Sequence, residues 1–567
     1  MRAAEAGGWV LLAGFAVESL ALQVYPDLYR DLTERPEQVA AFFPSAPGDH
    51  AVWGRRASVV RTLWSDEPAA ARRRALVAAL TAYHERLGTH PAQQRNLDAL
   101  ARPDALVVVT GQQAGLLGGP LYTAYKALGA VLRAAEAERH LGCPVLPVFW
   151  VASEDHDWSE VSHARFAGPD GALERLALEG GGGFHSAGHI PLPPETRSLV
   201  GRLTTLFPPS PAGATAADAL LGGLRRPGRQ TLADWFAWQI HCLLAQTGLL
   251  IYDPMQPALR ALAAPVFAGA PGRAAAANAS IRAAAERLSA AGYQPGLDID
   301  ADHVHLFVYH EGRRVALHAA GDRVRTKDGA VDFTASALAE RAMREPTAFS
   351  PNVALRPIVQ DFTLPALCQL GGPGEIAYLA QLGGVFPLWD REATPVAPRP
   401  GATVVLPEDA GALREAGARA EDLRGDLAGV IDRAAAARCT VDIDALFAEE
   451  RRDLDARQAR LRELLAGVAP ALPRIVDGNT ERVRYQLDYL ERKARQHRRR
   501  TQGELTGALR AAAGRLFPGG ALQERDSLLY PYLFRLGPAF LQGLQEALGA
   551  APGPLGRHWL LYWSEQG

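Results

Sequence analysis

The sequence predicts an α/β fold: a Rossmann-like parallel-sheet core with connecting-peptide insertions, joined to an α-helical coiled-coil domain. Three observations predict it. From Leu106 the chain reads apolar strand, glycine-rich turn, helix, second apolar strand and polar cluster, the order of a βαβ unit with chemistry at its strand ends. Another strand-to-glycine-turn-to-helix transition follows over residues 364–375. From 409 to 516, apolar residues recur at heptad spacing, with Phe447, Leu454 and Leu461 seven apart.

Length and composition set the frame. A chain of 567 residues is long enough for two or three domains, and 48% hydrophobic with 22% charged residues is globular composition. A formal net charge of -2 gives no general attraction to nucleic acid or membrane. The four cysteines (Cys143, Cys242, Cys368, Cys439) form no CxxC pair, which speaks against a disulfide scaffold or structural zinc and suits a reducing cytoplasm. The apolar stretch 9–17 is followed at once by Glu18, so neither a signal peptide nor a membrane span is expected.

Taken in order, residues 1–25 are hard to place, the first dozen reading as a loose extension. Helical spacing fills 25–100. The strand at 106–109 then breaks into a turn holding Thr110, Gly111, Gln112, Gln113, Gly115, Gly118 and Gly119, and a helix from 121 to 140 carries Tyr122, Tyr125 and Lys126 early. The strand at 144–151 leads to Glu154, Asp155, His156 and Asp157, with Glu160 and His163 shortly after. Residues 165–230, rich in glycine and proline, read as a loop-rich insertion, with His185 and His189 as surface histidines that could reach the site. A helix over 231–246, a strand over 248–253 ending in Asp253, and a helix over 274–291 follow. Residues 303–327 alternate as a β-hairpin expected to cover one rim of the site. Spaced prolines at 395, 398 and 400 read as a linker. The expected domains are a core over 1–408, with insertions at about 165–230 and 260–345, an antiparallel coiled coil over 409–516, and a tail over 517–567 packing back on the core.

Several polar groups carry chemistry. The glycine turn allows close backbone approach, and the helix start after it offers N–H groups to a phosphate or carboxylate, with Lys126 adding a cation; the other reading is a plain connector. Three carboxylates around His156 could hold it protonated, position an amine or ligate a metal, or form a loop-capping network. Glu375 either caps its own helix or binds ribose hydroxyls beside Gly371 and Gly372. The basic run 492–500 reads as a solvated helix face or a phosphate or RNA contact.

The motifs TGQQAGLLGGPLYTAYK, PVFWVASEDHDWSE, NVALRPIVQDF and GGPGEIAYLAQL together resemble the bacillithiol biosynthesis cysteine-adding enzyme family, BshC, from about Tyr25 to the C-terminus. The resemblance implies a dimer and a final biosynthetic step that adds L-cysteine to glucosaminyl-malate as an amide. Carried over by motif, the site residues are Thr110, Gly111, Gln112, Gln113, Tyr122, Lys126, Glu154, Asp155, His156, Asp157, Asn352, Arg356, Gln360, Gly371, Gly372 and Glu375. The layout is also similar to class I aminoacyl-tRNA synthetases, without their histidine pair or zinc-binding set. The expected chemistry uses ATP with Mg²⁺, phosphates at the 110–126 turn, ribose at Gly371, Gly372 and Glu375, the amine at 154–157 with His156 or a neighbouring carboxylate as base, and malate at Arg356. The competing readings are a metal-dependent sugar-conjugate transferase or hydrolase, and a coiled-coil scaffold or nucleic-acid-binding protein; no membrane or nucleic-acid partner is expected.

Overall fold

The computed structural model describes residues 10–12, 15–20, 23–43, 50–180, 183–228, 230–437, 441–501, 503–554 and 556–564. The first nine residues, Gly181, Gly182 and Cys439 lie outside the described residues, as do the side chains of Arg499 and Arg500. The described residues fall into two compact units. One comprises Met1–Pro169, Leu173–Val404 and Ala521–Gly567, the other Asp170–Ala172 and Val405–Gly520.

The first unit is built on five parallel strands: β1 (Leu106–Gln113), β2 (Val145–Ala152), β3 (Leu250–Tyr252), β4 (Ala366–Gly371) and β5 (Val396–Pro398), in the spatial order β5-β4-β1-β2-β3. Leu106, Val107, Val108 and Val109 are fully buried, as strands covered on both faces must be. Helix α1 (Tyr122–Leu141) connects β1 to β2, and α2 (Pro373–Leu379) follows β4. Gly129 lets α1 lie against the sheet, because a Cβ there would meet Pro400 Cδ at 2.6 Å. Helices Asp27–Glu34, His50–Leu63, Glu67–Leu87 and Pro91–Leu100 supply the helical lead-in that 25–100 predicted.

Four expectations change. β1 does not break after Val109 but runs on to Gln113, paired with β2 through Gln113 and Ala152, so Thr110 to Gln113 are strand residues. The proline-spaced linker is the edge strand β5, paired to β4 from Gln369 with Val396 to Gly371 with Pro398; an edge tolerates prolines that lack an N–H. The loop-rich insertion holds a hairpin (His163–Ala167 with Leu173–Ala177) and helices Thr196–Leu206 and Ala214–Gly223. The loose N-terminal stretch supplies strands Val10–Leu12 and Phe15–Ser19, in a four-stranded sheet with His558–Trp563 and Gly401–Val405.

The hairpin at 303–327 is real and larger than expected. His303–His310 and Arg313–Ala320 sit in a five-stranded antiparallel sheet with Arg323–Arg325, Asp332–Thr334 and Phe349–Pro351. In the C-terminal tail, Leu528, Tyr530, Leu533 and Phe534 are buried.

The second unit is helical. Its two longest helices, Ile443–Ala466 and Leu472–Thr501, pack as an antiparallel hairpin. Arg451 pairs with Asp488 at 2.9 Å, Arg484 with Asp455 at 2.7 Å and Arg462 with Asp477 at 2.9 Å, partners that descend one helix as they ascend the other. Arg495, from the basic run, joins this ladder through Asp444 and Glu491. Among the described residues no helix is long and apolar enough to cross a membrane.

Candidate functional site

The order β5-β4-β1-β2-β3 means that successive strands are added on one side of β1 and then on the other. The crevice at the carboxyl ends of β1 and β4 is therefore the topological switch point, where open α/β sheets bind ligands. A cavity of about 560 Å³ opens there. Gly111, Gln112, Gln113 and Lys126 line it from the β1–α1 side, Glu154 and Asp155 from the end of β2, Asn352, Arg356, Glu375 and Tyr378 from around β4, and Phe307 and Arg314 from the inserted sheet.

Lys126 is the centre of one wall. Its ammonium donates to Gly111 O at 2.8 Å and Gln112 Oε1 at 2.7 Å, and pairs with the Glu375 carboxylate. All three ammonium donors thus have acceptors within the protein. Burial pulls Lys126 below its usual range, while Glu375 pulls the other way. The same Glu375 carboxylate accepts the Gly372 N–H at 3.0 Å, so it caps α2 and joins α2 to α1 at once. Thr110 ties β1 to β4 by donating to Leu370 O at 3.3 Å.

The glutamines divide their contacts. Gln112 also donates to Tyr122 Oη at 3.3 Å, whereas Gln113 reaches across to Asp155 at 3.0 Å and to Glu160. Glu160 is raised above the usual carboxyl range by desolvation and by the charges of Asp157 and Asp155.

The four residues after β2 take four different places. Glu154 is buried and ion-paired with Arg260, whose guanidinium also donates to Phe349 O at 2.9 Å. Asp155 is half-buried and lines the cavity. Asp157 is exposed and caps the short helix Trp158–Val161, accepting from Ser159 N at 2.9 Å. His156 is not held protonated by its neighbours. Burial and the Arg314 charge lower its pKa, and Arg314 Nη1 lies 2.9 Å from its Nδ1. An arginine only donates, so Nδ1 is the acceptor and the neutral ring carries its proton on Nε2. That tautomer has no free lone pair for a general base.

Arg356 donates to Gln360 Oε1 at 3.0 Å and to Tyr378 Oη at 3.2 Å, with three of its five N–H groups uncommitted by these bonds. Gln360 lies beneath it, buried and bonded to Gln369 at 3.1 Å. Asn352 accepts the Ala354 and Leu355 N–H groups at 3.0 Å, fixing the loop before Arg356. Gly371 and Gly372 are buried at the end of β4 and are not part of the cavity wall.

The first glycine turn does not open on the cavity. Gly118 and Gly119, both at positive φ, face Gln239, Tyr530, Thr123 and Phe236. The N–H groups expected to await an anion are taken: Leu121 donates to Ser527 O at 2.7 Å and Tyr122 to Glu524 O at 3.0 Å. His185, which donates its Nδ1–H to Gly312 O at 2.7 Å, and His189, against Tyr309, are not cavity-lining residues.

Sequence reasoning missed Arg314 and Arg260. Arg314 is nearly buried, donates to Ser350 Oγ at 2.8 Å and Pro351 O at 2.6 Å, and stacks over Phe307. The available signal was period two in the hairpin, which puts Arg314 on the opposite face from its neighbour Arg313.

The chain matches two family models over most of its length. One, described as the bacillithiol biosynthesis BshC N-terminal Rossmann-like domain, covers residues 15–400, and the other, the BshC C-terminal coiled-coil domain, covers 402–563. Among curated proteins, one from Symbiobacterium thermophilum named "Putative cysteine ligase BshC" is 35% identical over 501 residues, 85% of this chain and 88% of that protein. Proteins of the same name from Desulforamulus reducens (30% identical; 82% of this chain, 86% of the relative) and Salinibacter ruber (31%; 93% and 95%) are similar over most of both chains.

Proposed function

The chain belongs to the BshC family of bacillithiol biosynthesis, and on that premise we propose that it is the cytoplasmic ligase joining L-cysteine to the amine of glucosaminyl-malate as an amide. The observation that carries this reading is the meeting of Asp155 with Arg356 and Arg314 in one cavity at the switch point. A substrate with an amine and a malate group needs both signs of charge. Arg356, with uncommitted N–H groups, binds a malate carboxylate. Asp155, oriented by Gln113, receives the ammonium and takes its proton as the amide forms. His156, as the Nε2–H tautomer, donates a hydrogen bond rather than accepting a proton.

Amide formation from a free carboxylate in water is uphill, and ATP with Mg²⁺, when bound, supplies the driving force and the leaving group. Glu375, which lines the cavity at the switch point, would hold the ribose hydroxyls, Lys126 being committed to Gly111, Gln112 and Glu375, whereas the turn around Gly118 and Gly119 offers no place, being packed beneath the tail. Two copies assemble through the helical arm in this reading. Its support is apolar surface on the long helices and the turn between them, where Leu464, Val468 and Ile475 are 61%, 74% and 64% exposed.

Mass spectrometry of the purified protein with glucosaminyl-malate, cysteine and Mg²⁺, with and without ATP, tests the reaction. Product only with ATP supports the whole reading; product without ATP removes the nucleotide from it; no product from folded protein removes the reaction. Asp155→Asn is expected to lower product formation by about 10²-fold or more at unchanged stability.

A further inference from the structure

At the rim of the same cavity, three side chains with metal-ligand chemistry converge. Asp300 and Asp302 lie in the loop before strand His303–His310, and His318 comes from the paired strand Arg313–Ala320. One ligand atom from each lies within 4.8 Å of the other two. We propose that Asp300, Asp302 and His318 form a binding site for a divalent transition cation of the zinc class at the cavity mouth.

The geometry points to this in three ways. His318 Nδ1 and Asp302 Oδ1 are 3.1 Å apart. Donor atoms that each sit about 2.1 Å from one zinc-sized ion are separated by roughly 3.0–3.4 Å, so this pair already spans one edge of a coordination polyhedron. A cation between them replaces the Nδ1–H that His318 now donates to Asp302, and that proton leaves to solvent. Next, among the described residues the Asp300 carboxylate is held by Lys327 alone, at 2.9 Å, and both side chains are mostly exposed. Such a pair is worth little in water, so Asp300 turns to the cation at small cost while Lys327 swings into solvent.

The third observation is a buried polar atom left over in the same histidine cluster. His303 packs against both His318 and His305, with ring centroids 5.2 and 5.5 Å apart. His305 is 2% exposed, sits at φ +63, and its Nε2 has no hydrogen-bond partner among the described residues. A buried imidazole nitrogen without a partner in a strained strand residue marks a place where the chain has not satisfied itself.

Mixed imidazole and carboxylate donors suit zinc or manganese better than calcium. Three protein ligands leave at least one position for water or a substrate oxygen or sulfur, as in open rather than structural sites. Asp300 and His303 themselves line the cavity, so the site adjoins it. The proposal stands on these side chains and does not depend on the ligase reading.

Chelator-treated, desalted full-length protein titrated with Zn²⁺ by calorimetry tests it, with Co²⁺ absorption as an independent readout. One equivalent bound by the wild type, weakened at least tenfold in both Asp302→Asn and His318→Ala and unchanged or tightened in Lys327→Ala, is the expected result. Asp300→Asn and Asp302→Asn change exposed groups and keep the test valid if His318→Ala fails to fold. Wild-type binding that these variants leave unaltered, or no binding, overturns the site whatever the protein proves to catalyse.

Discussion

The two glycine turns of the core share a sequence pattern and differ in what they do. The first, after β1, contains Gly115, Gly118 and Gly119; the second, after β4, contains Gly371, Gly372 and Gly374. At the first, the helix-start N–H groups are consumed by carbonyls of Glu524 and Ser527, and the turn is sealed under the tail. At the second, a single carboxylate within the helix, Glu375, caps the start and faces the cavity. Glycine after a parallel strand therefore marks a tight turn, and the ownership of the free N–H groups decides whether that turn can hold a ligand. Lys126, one turn into α1, is the link between them, because its ammonium reaches Glu375.

The largest effect should come from breaking the seal over the first turn. Arg399 and Glu524 form a buried bidentate pair at 2.6 and 2.9 Å, joined by Tyr25 and close to His558. Arg399 also donates its backbone N–H to Gly371 O at 3.0 Å, so the pair supports both turns. Arg399→Met leaves the Glu524 carboxylate buried without its partner and is expected to cost about 3–5 kcal/mol in urea unfolding. If the variant unfolds at the wild-type midpoint, the tail is not the lock described here.

Next in size is the link. Lys126→Met leaves Glu375 without its cation, but Glu375 is partly open to solvent, so the expected stability loss is smaller, about 2 kcal/mol. Glu375→Gln should cost less still, since a glutamine carbonyl can accept the Gly372 N–H. A variant pair showing the reverse order would mean that the buried Lys126 charge, left without its counter-ion, costs more than the partly exposed Glu375 carboxylate.

Acid should act elsewhere. His84 is buried with Nδ1 donating to Leu80 O at 2.9 Å and Nε2 accepting the Ile251 N–H at 3.0 Å, and burial pushes its pKa down to about 4. The native state then binds fewer protons than the unfolded chain below the ordinary histidine range. Its contribution is complete above about pH 6.5 and falls by about 1.4 kcal/mol per pH unit as pH drops toward 4. Urea midpoints between pH 7 and 4.5 should fall in wild type and fall less in a folded His84→Gln variant. Neither glycine turn contains a histidine, so equal slopes in the two proteins would leave this acid response unexplained by β3 packing.

Much of this was legible from the chain. The β1–α1–β2 unit, the strand into Gly371, and the helical arm followed from apolar runs, glycine placement and heptads. The rest failed for physical reasons. β1 runs on through Gln112 and Gln113 because a strand end that faces a cavity carries polar side chains, which look like a turn in sequence. β5 looked like a linker because an edge strand can keep its prolines. The Arg314–His156 contact spans 158 positions and the Arg399–Glu524 pair 125, and no local pattern pairs residues at such distance. The Glu154–Asp157 run looked like one cluster, yet its members alternate between a buried ion pair, the cavity and a helix cap, as consecutive residues leaving a strand must.

The smallest predicted effect is the most direct comparison of the turns. Gly118 sits at φ +83, and a Cβ there would lie 3.5 Å from Gln239 and 3.6 Å from Tyr530, ordinary contacts. Gly118→Ala should therefore lose only the left-handed backbone penalty, about 1–2 kcal/mol, with ligand affinity at the cavity unchanged. Gly374 is exposed in the first turn of α2, at negative φ, with nothing within 4 Å of a Cβ. Gly374→Ala should stabilise by up to about 1 kcal/mol, because alanine loses less entropy in a helix. Its methyl stands one residue before Glu375, so binding at the cavity should register it where Gly118→Ala does not. Opposite signs in unfolding, with a binding change only at Gly374, would establish that one turn serves the fold and the other the site; a binding change at Gly118 would show that the sealed turn communicates with the cavity after all.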